Sequence, residues 1–271
     1  MKKFTAVIAA LLLLLMSSNG YGSVFAEKKE EKSKQFEVPK SVINISKENT
    51  YPNPAQDLPH LQPSELASEL LETAEVKVEN PSLIRLLNES SIKSTPFAVG
   101  YRATIYLGLW PLSYESRETS VNWEYRKANV NRIDNRGGNN IQKVHYVQEE
   151  EAKMSGGLTS KAPNSDEVKK MMMLKASEKT GLPLSFDTVI GKGTKTESQV
   201  YNVQPKKLGY IYGFVPAVNE KGKITYGEVY LVLKGSKKML VVKNITQQGI
   251  GAWIPVQDHL SLQFIMSDTP Q

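Results

Sequence analysis

The stretch from Leu208 to Met266 does most to restrict the folds open to this chain. Leu208, Tyr210, Tyr212 and Phe214 alternate with Gly209, Ile211, Gly213 and Val215, and Pro216 follows. A sustained period of two belongs to a β-strand. The polar run Asn219-Glu220-Lys221-Gly222-Lys223 has the length and glycine of a hairpin turn. Its return strand, Ile224 to Lys234, is apolar on both faces around Val229 to Leu233, which places it inside a sheet. Lys234-Gly235-Ser236-Lys237-Lys238 turns the chain into Met239 to Val242, a strand that fades at Asn244. Gln247 to Trp253 reads as a loop. In the last strand Leu260, Leu262, Phe264 and Met266 alternate with His259, Ser261, Gln263 and Ile265, which predicts one wet face. The expectation is a four-strand antiparallel meander whose inner strands need cover from helices or a second sheet.

Upstream, the same alternation marks strands at Val99 to Leu109, Val121 to Tyr125 and Ile141 to Val147, with Asp134 to Asn140 as a hairpin loop. Three helices are expected. The first spans Pro63 to Leu71, with Leu66, Leu70 and Leu71 on one side. The second starts at Asn80 as N-cap with Pro81 behind it, burying Leu83, Ile84, Leu86 and Leu87. The third opens at Asn164 with Glu167 completing a capping box, carries Val168, Met171, Met172 and Ala176 at helical spacing, and stops at Gly181. Met171-Met172-Met173 reads as core filling. No internal repeat is present, and the element order predicts an α+β fold with mainly antiparallel pairing and about three packing helices.

The N-terminus has the three parts of a secretory signal peptide: Lys2-Lys3, an apolar run from Phe4 to Met16, and small residues up to Ala26. The run is short against the roughly 20 residues that span a bilayer. Cleavage after Ala26 would leave a charged, solvated leader from Glu27 to Glu37, a proline-interrupted segment from Val38 to Pro63, and a single domain over 38–271. Without Lys2 and Lys3 the formal net charge falls from +6 to +4. The mature chain is therefore expected outside the cytoplasm, secreted or associated with the envelope. There are no cysteines, so core burial replaces disulfides, and thiol catalysis and zinc–cysteine sites are excluded. The basic residues are scattered, with no nucleic-acid footprint.

No catalytic signature is legible. His60, His145 and His259 lie in unrelated contexts, and no nucleophile elbow is present. Gly191-Lys192-Gly193-Thr194-Lys195 lacks the spacing of a phosphate loop and reads as an exposed basic turn. Asp134 to Asn140 resembles a calcium loop in composition alone, with Arg136 where a ligand belongs. The residues best suited to touch a ligand are Arg102, Trp123, Tyr125, Arg136 and Trp253, as aromatic and cationic side chains on strands or loops. Glu115, Glu118, Glu124 and Asp134 near Trp123 are the carboxylates that a glycan hydrolase would draw on. No metal and no cofactor is expected.

Four segments together resemble one known family: Ser46 to Pro54, Gly100 to Gly108, Asp134 to Gly138 and Gln247 to Pro255. They are similar to the YfkD-like proteins of Bacillus-type bacteria, over essentially the whole mature chain. The resemblance implies export, one family-wide domain and a spore-forming Gram-positive host, and it carries no catalytic residues with it. The expected role is a non-catalytic binding or structural module for a wall polymer, a membrane surface or an envelope protein. A link to sporulation follows from the resemblance alone. The alternative is a hydrolase acting on an envelope glycan.

Overall fold

The computed structural model describes residues 36–55, 61–90, 100 and 102–270. The signal-peptide reading, most of the charged leader and His60 lie outside them. The described residues all belong to one compact unit, bounded by residues 34 and 271. Its frame is a pair of very long antiparallel strands, β2 (Arg102–Asp134) and β8 (Leu208–Lys234). Five register shifts let the 33 residues of β2 run beside the 27 of β8. Each such bulge adds local twist, so the ribbon coils along a contour of about 90 Å. On its other edge β8 pairs first with β10 (His259–Ser267) and then with β9 (Lys237–Pro255). Outside these lie β1 (Val42–Asn44) against β10 and β5 (Gly157–Leu158) against β9. Two small pairs complete the strands of the described residues: β3 (Gln142–Val144) with β7 (Tyr201–Val203), and β4 (Ala152–Ser155) with β6 (Asp187–Ile190).

The α+β class and antiparallel pairing hold, with three helices among the described residues, but the four-strand meander does not. Asn219 to Lys223 is no turn. It is the middle of β8, paired to β2 on one side and β9 on the other. Gln247 to Trp253 is likewise strand, so β9 runs unbroken apart from a bulge where Asn244, at φ +51°, lets the chain gain a residue opposite Gly227. Three strands therefore stand where four were expected, and β10 pairs with β8, not with β9. The turn at Gly235 forms, with φ +60°. Upstream, the separate strands merge into β2, and the strand after the Asp134 loop pairs with β7, so no hairpin forms there. The wet face of β10 is also interrupted, since Ser261 is buried and Met266 exposed.

Among the described residues three cores hang on this ribbon. Ile211 and Val215 of β8 pack with Ile45, Tyr146 and Leu260. Val218, Ile224 and Tyr226 pack under helix α3 (Ser165–Thr180) with Met171, Met172 and Ala176. Val229 and Leu231 pack under helices α1 (Glu65–Glu72) and α2 (Pro81–Glu89) with Leu70, Leu83 and Leu87. Odd-numbered residues of β8 thus face the core at both ends and even-numbered residues face it in the middle. This switch of side makes the strand apolar on both faces; near its start both faces are covered at once, since Leu208 and Tyr210 are buried along with Ile211.

The helices are placed by their caps. Asn80 is fully buried; its Oδ1 accepts from the amides of Ser82 (2.9 Å) and Leu83 (3.1 Å), and its Nδ2 donates to the Pro111 carbonyl at 2.8 Å. That one side chain starts α2 and fastens it to β2. Leu86, expected inside, is exposed. Thr73 at the end of α1 accepts from the Leu240 amide at 2.8 Å and ties α1 to β9. The capping box of α3 does not form. Asn164 adopts φ +50° and its amide donates to the Leu109 carbonyl at 2.6 Å, while Glu167 turns to Lys170 at 2.9 Å. The methionine run is core, and Gly181 ends α3 at φ +69°.

Candidate functional site

Tyr125 and Trp253 come from β2 and β9, which each pair with β8 and not with each other. Trp253 is held in β9 between Asn219 of β8 and Gly157 of β5. Gly156 has to be glycine here, because a Cβ would sit 2.1 Å from the Trp253 carbonyl oxygen. Tyr125 lies where β2 carries its largest irregularity, between Asn122 opposite Ala217 and Arg126 opposite Val215. The extra residues carry its ring across β8 onto the indole: the rings stack at 5.0 Å between centroids with planes 18° apart. Arg126 lays its guanidinium 5.0 Å from the centre of the Tyr125 ring and donates to the Ser155 carbonyl at 3.2 Å. That distance lies within the range, up to about 6 Å, over which a cation is drawn to an aromatic face. Both rings are half-buried and Arg126 is exposed. A stacked pair with a cation beside it offers a flat apolar surface and a charge-assisted donor side by side.

The other three nominated residues lie elsewhere. Trp123 packs on the core beneath α3. Arg136 is spent on Asp134, donating from Nη2 to Oδ2 at 2.6 Å and from Nε to Oδ1 at 3.0 Å. These hydrogen bonds hold the Asp134 carboxyl at about 2, below the ordinary carboxylate value of 3.8, so Asp134 stays ionised and cannot serve as a general acid near neutrality. Arg102 is exposed at the far end of the ribbon, opposite Lys234. Glu115, Glu118 and Glu124 are all exposed, and Glu118 pairs with Lys221 at 3.1 Å. His145 is exposed, and His259 Nδ1 lies 2.7 Å from the Gln257 carbonyl. Among the described residues no group of three or more acidic or histidine side chains is arranged to hold a metal ion.

Two of the segments that carry the family resemblance work as fasteners. Asn49 and Asn53 both donate to Asp258 Oδ1, at 2.8 and 2.7 Å, and both donate to the Val189 carbonyl. This asparagine clamp binds the N-terminal segment to β6 and to the turn between β9 and β10. It also organises the Gly191 to Lys195 turn, whose lysines are exposed while Thr194 is buried against Thr50 and Asn49. In the Asp134 loop Asn135 is buried and donates to the carbonyls of Asn140 and Val203.

Two polar features escaped sequence reasoning. Glu220, inside the run read as a turn, is fully buried. Its Oε1 accepts from the Tyr114 hydroxyl at 2.9 Å and its Oε2 from Thr119 at 2.6 Å. Ser116 lies 3.4 Å from Thr119 and accepts from Lys179 at 2.8 Å, so a hydrogen-bonded chain links the buried carboxylate to the surface. Burial, then the Glu220 charge, raises the Tyr114 phenol well above its usual value. Gly222 provides the seat, since a Cβ there would lie 2.6 Å from the Tyr114 hydroxyl oxygen. The second feature is a cleft of about 560 Å³ between β2 and the start of α3, lined by Trp110, Leu109, Asp166 and Glu167 among others. Glu167 Oε2 is buried there without a hydrogen-bond partner. A polar run in sequence signals a turn, and nothing local distinguishes it from a strand that buries a carboxylate.

No solved structure matches the chain. The protein described as "Uncharacterized protein YfkD" from Bacillus subtilis strain 168 is 62% identical over 261 residues, which cover 96% of each chain. The YfkD-like protein family matches residues 39–271. The chain belongs to the YfkD-like protein family.

Proposed function

We propose that this is an exported, non-catalytic binding protein of the cell envelope that takes an anionic glycan of the wall at the Tyr125–Trp253 stack. The observation that carries the reading is the cation placed on that stack, with Arg126 beside a ring pair built from two separate strands. A sugar ring lies on the aromatic surface through its C–H face, and the guanidinium takes a carboxylate or phosphate on the same polymer. The acids once nominated for hydrolysis are exposed or ion-paired, which favours binding over cleavage. Export rests on the N-terminal pattern of Lys2-Lys3, Phe4 to Met16 and Ala26.

Sedimentation of the 34–271 unit with purified cell walls tests this. The parent chain should co-sediment, and Trp253→Ala and Arg126→Gln should each weaken retention about tenfold. Equal retention of all three would overturn the assignment. Soluble wall fragments released on incubation would overturn the non-catalytic reading and favour the hydrolase.

A further inference from the structure

Past Gly227 helices α1 and α2 cover one side of the ribbon, and among the described residues no element covers the opposite side. The register of β2, β8 and β9 builds that side in rows: Arg102–Lys234–Lys237 at the end, then Thr104–Val232–Met239, then Tyr106–Tyr230–Val241. The three cations of the end row are exposed, and Tyr106 is 55% exposed. Its ring rests 5.0 Å from that of Tyr230, which Lys243 approaches to 5.1 Å. Glu228, one row further in, is already engaged by the Tyr230 hydroxyl (2.8 Å) and the Asn244 amide (2.9 Å). The face therefore presents positive charge beside a band of aliphatic side chains and tyrosine, with its nearest carboxylate internally satisfied.

We infer that this bare face at the β8–β9 end docks on an anionic lipid surface. Laid against a bilayer, Val232, Met239 and Tyr106 enter the interface, where a ring with one polar tip is at home. The long stems of Arg102, Lys234 and Lys237 then spread to the headgroup phosphates. A soluble polyanion would use the cations and leave the apolar band in water; a lipid interface uses both. The surface is separate from the Tyr125–Trp253 stack and does not depend on the glycan reading.

The 34–271 unit, which holds all three cores, allows a local readout. The chain has no cysteine, so Thr104→Cys carries a single environment-sensitive fluorophore on this face, and Glu149→Cys carries one at another exposed position. Vesicles of phosphatidylglycerol and phosphatidylcholine should shift the emission at 104 to the blue and leave 149 unchanged, and pure phosphatidylcholine should shift neither. Lys234→Gln with Lys237→Gln should weaken partition about 25-fold, at about fivefold per cation. Tyr106→Ser should weaken it about tenfold and leave binding of soluble polyphosphate unaltered. No shift at 104 on anionic vesicles, a shift at 149 alone, or partition unchanged in the double glutamine variant would overturn the inference. Partition indifferent to Tyr106→Ser, with polyphosphate bound as tightly as vesicles, would overturn it in favour of a soluble polyanion.

Discussion

Glu220 shows how much one side chain can fix. Its two oxygens have hydroxyl partners from different positions on β2, so the carboxylate sets the register of the ribbon where glycine and lysine would leave it loose. Glu220→Ala removes the acceptor of the buried Tyr114 hydroxyl and one partner of the half-buried Thr119. It should cost about 3 kcal/mol, read from the urea midpoint, while Glu220→Gln should cost less because one acceptor survives. Tyr146 makes a second residue-scale prediction. Burial raises its phenol above 10, and the unfolded chain titrates near 10. Its contribution is therefore intact below pH 10 and is lost as pH climbs toward the folded value, because the unfolded state releases the proton first. Tyr146→Phe should flatten the decline in stability between pH 10 and 11, measured as denaturant midpoints.

At the scale of elements, what the sequence made legible followed ordinary lengths and caps. Asn80-Pro81 announced α2 because a side-chain cap and a proline at the first turn are both local, and Gly181 and Gly235 announced their stops for the same reason. Asn80→Ala removes two cap bonds and the tie to Pro111. It should cost about 2 kcal/mol, and circular dichroism should show α2 frayed. The long strands were illegible for a physical reason. Strands usually end within about ten residues, so Asn219 to Lys223 and Gln247 to Trp253 looked like punctuation. In fact Gly222 makes room for Tyr114, and Asn219 and Lys221 lie on the side of β8 that the middle core leaves uncovered. The candidate site was half legible. Tyr125 and Trp253 stood out as aromatics, but Arg126 is brought to Tyr125 by an irregularity of β2 that no period reveals.

Across the whole molecule, three cores share one pair of strands and little else. Leu83 belongs to the core beneath α1 and α2, so Leu83→Ala, worth about 3 kcal/mol, should loosen that end preferentially. Hydrogen–deuterium exchange should quicken through Val229 to Leu240 and stay slow where β10 pairs with Leu208 to Phe214. Uniform acceleration along β8 would mean that the cores unfold as one.

The change of buried side along β8 also restricts how this lineage can alter its length. Deleting one residue ahead of Val218 would exchange inside for outside at every downstream position, because neighbours on an extended chain point opposite ways. β2 already absorbs extra residues at its five irregular sites. Length variation among relatives should therefore collect in β2, and β8 should grow or shrink by two residues at a time.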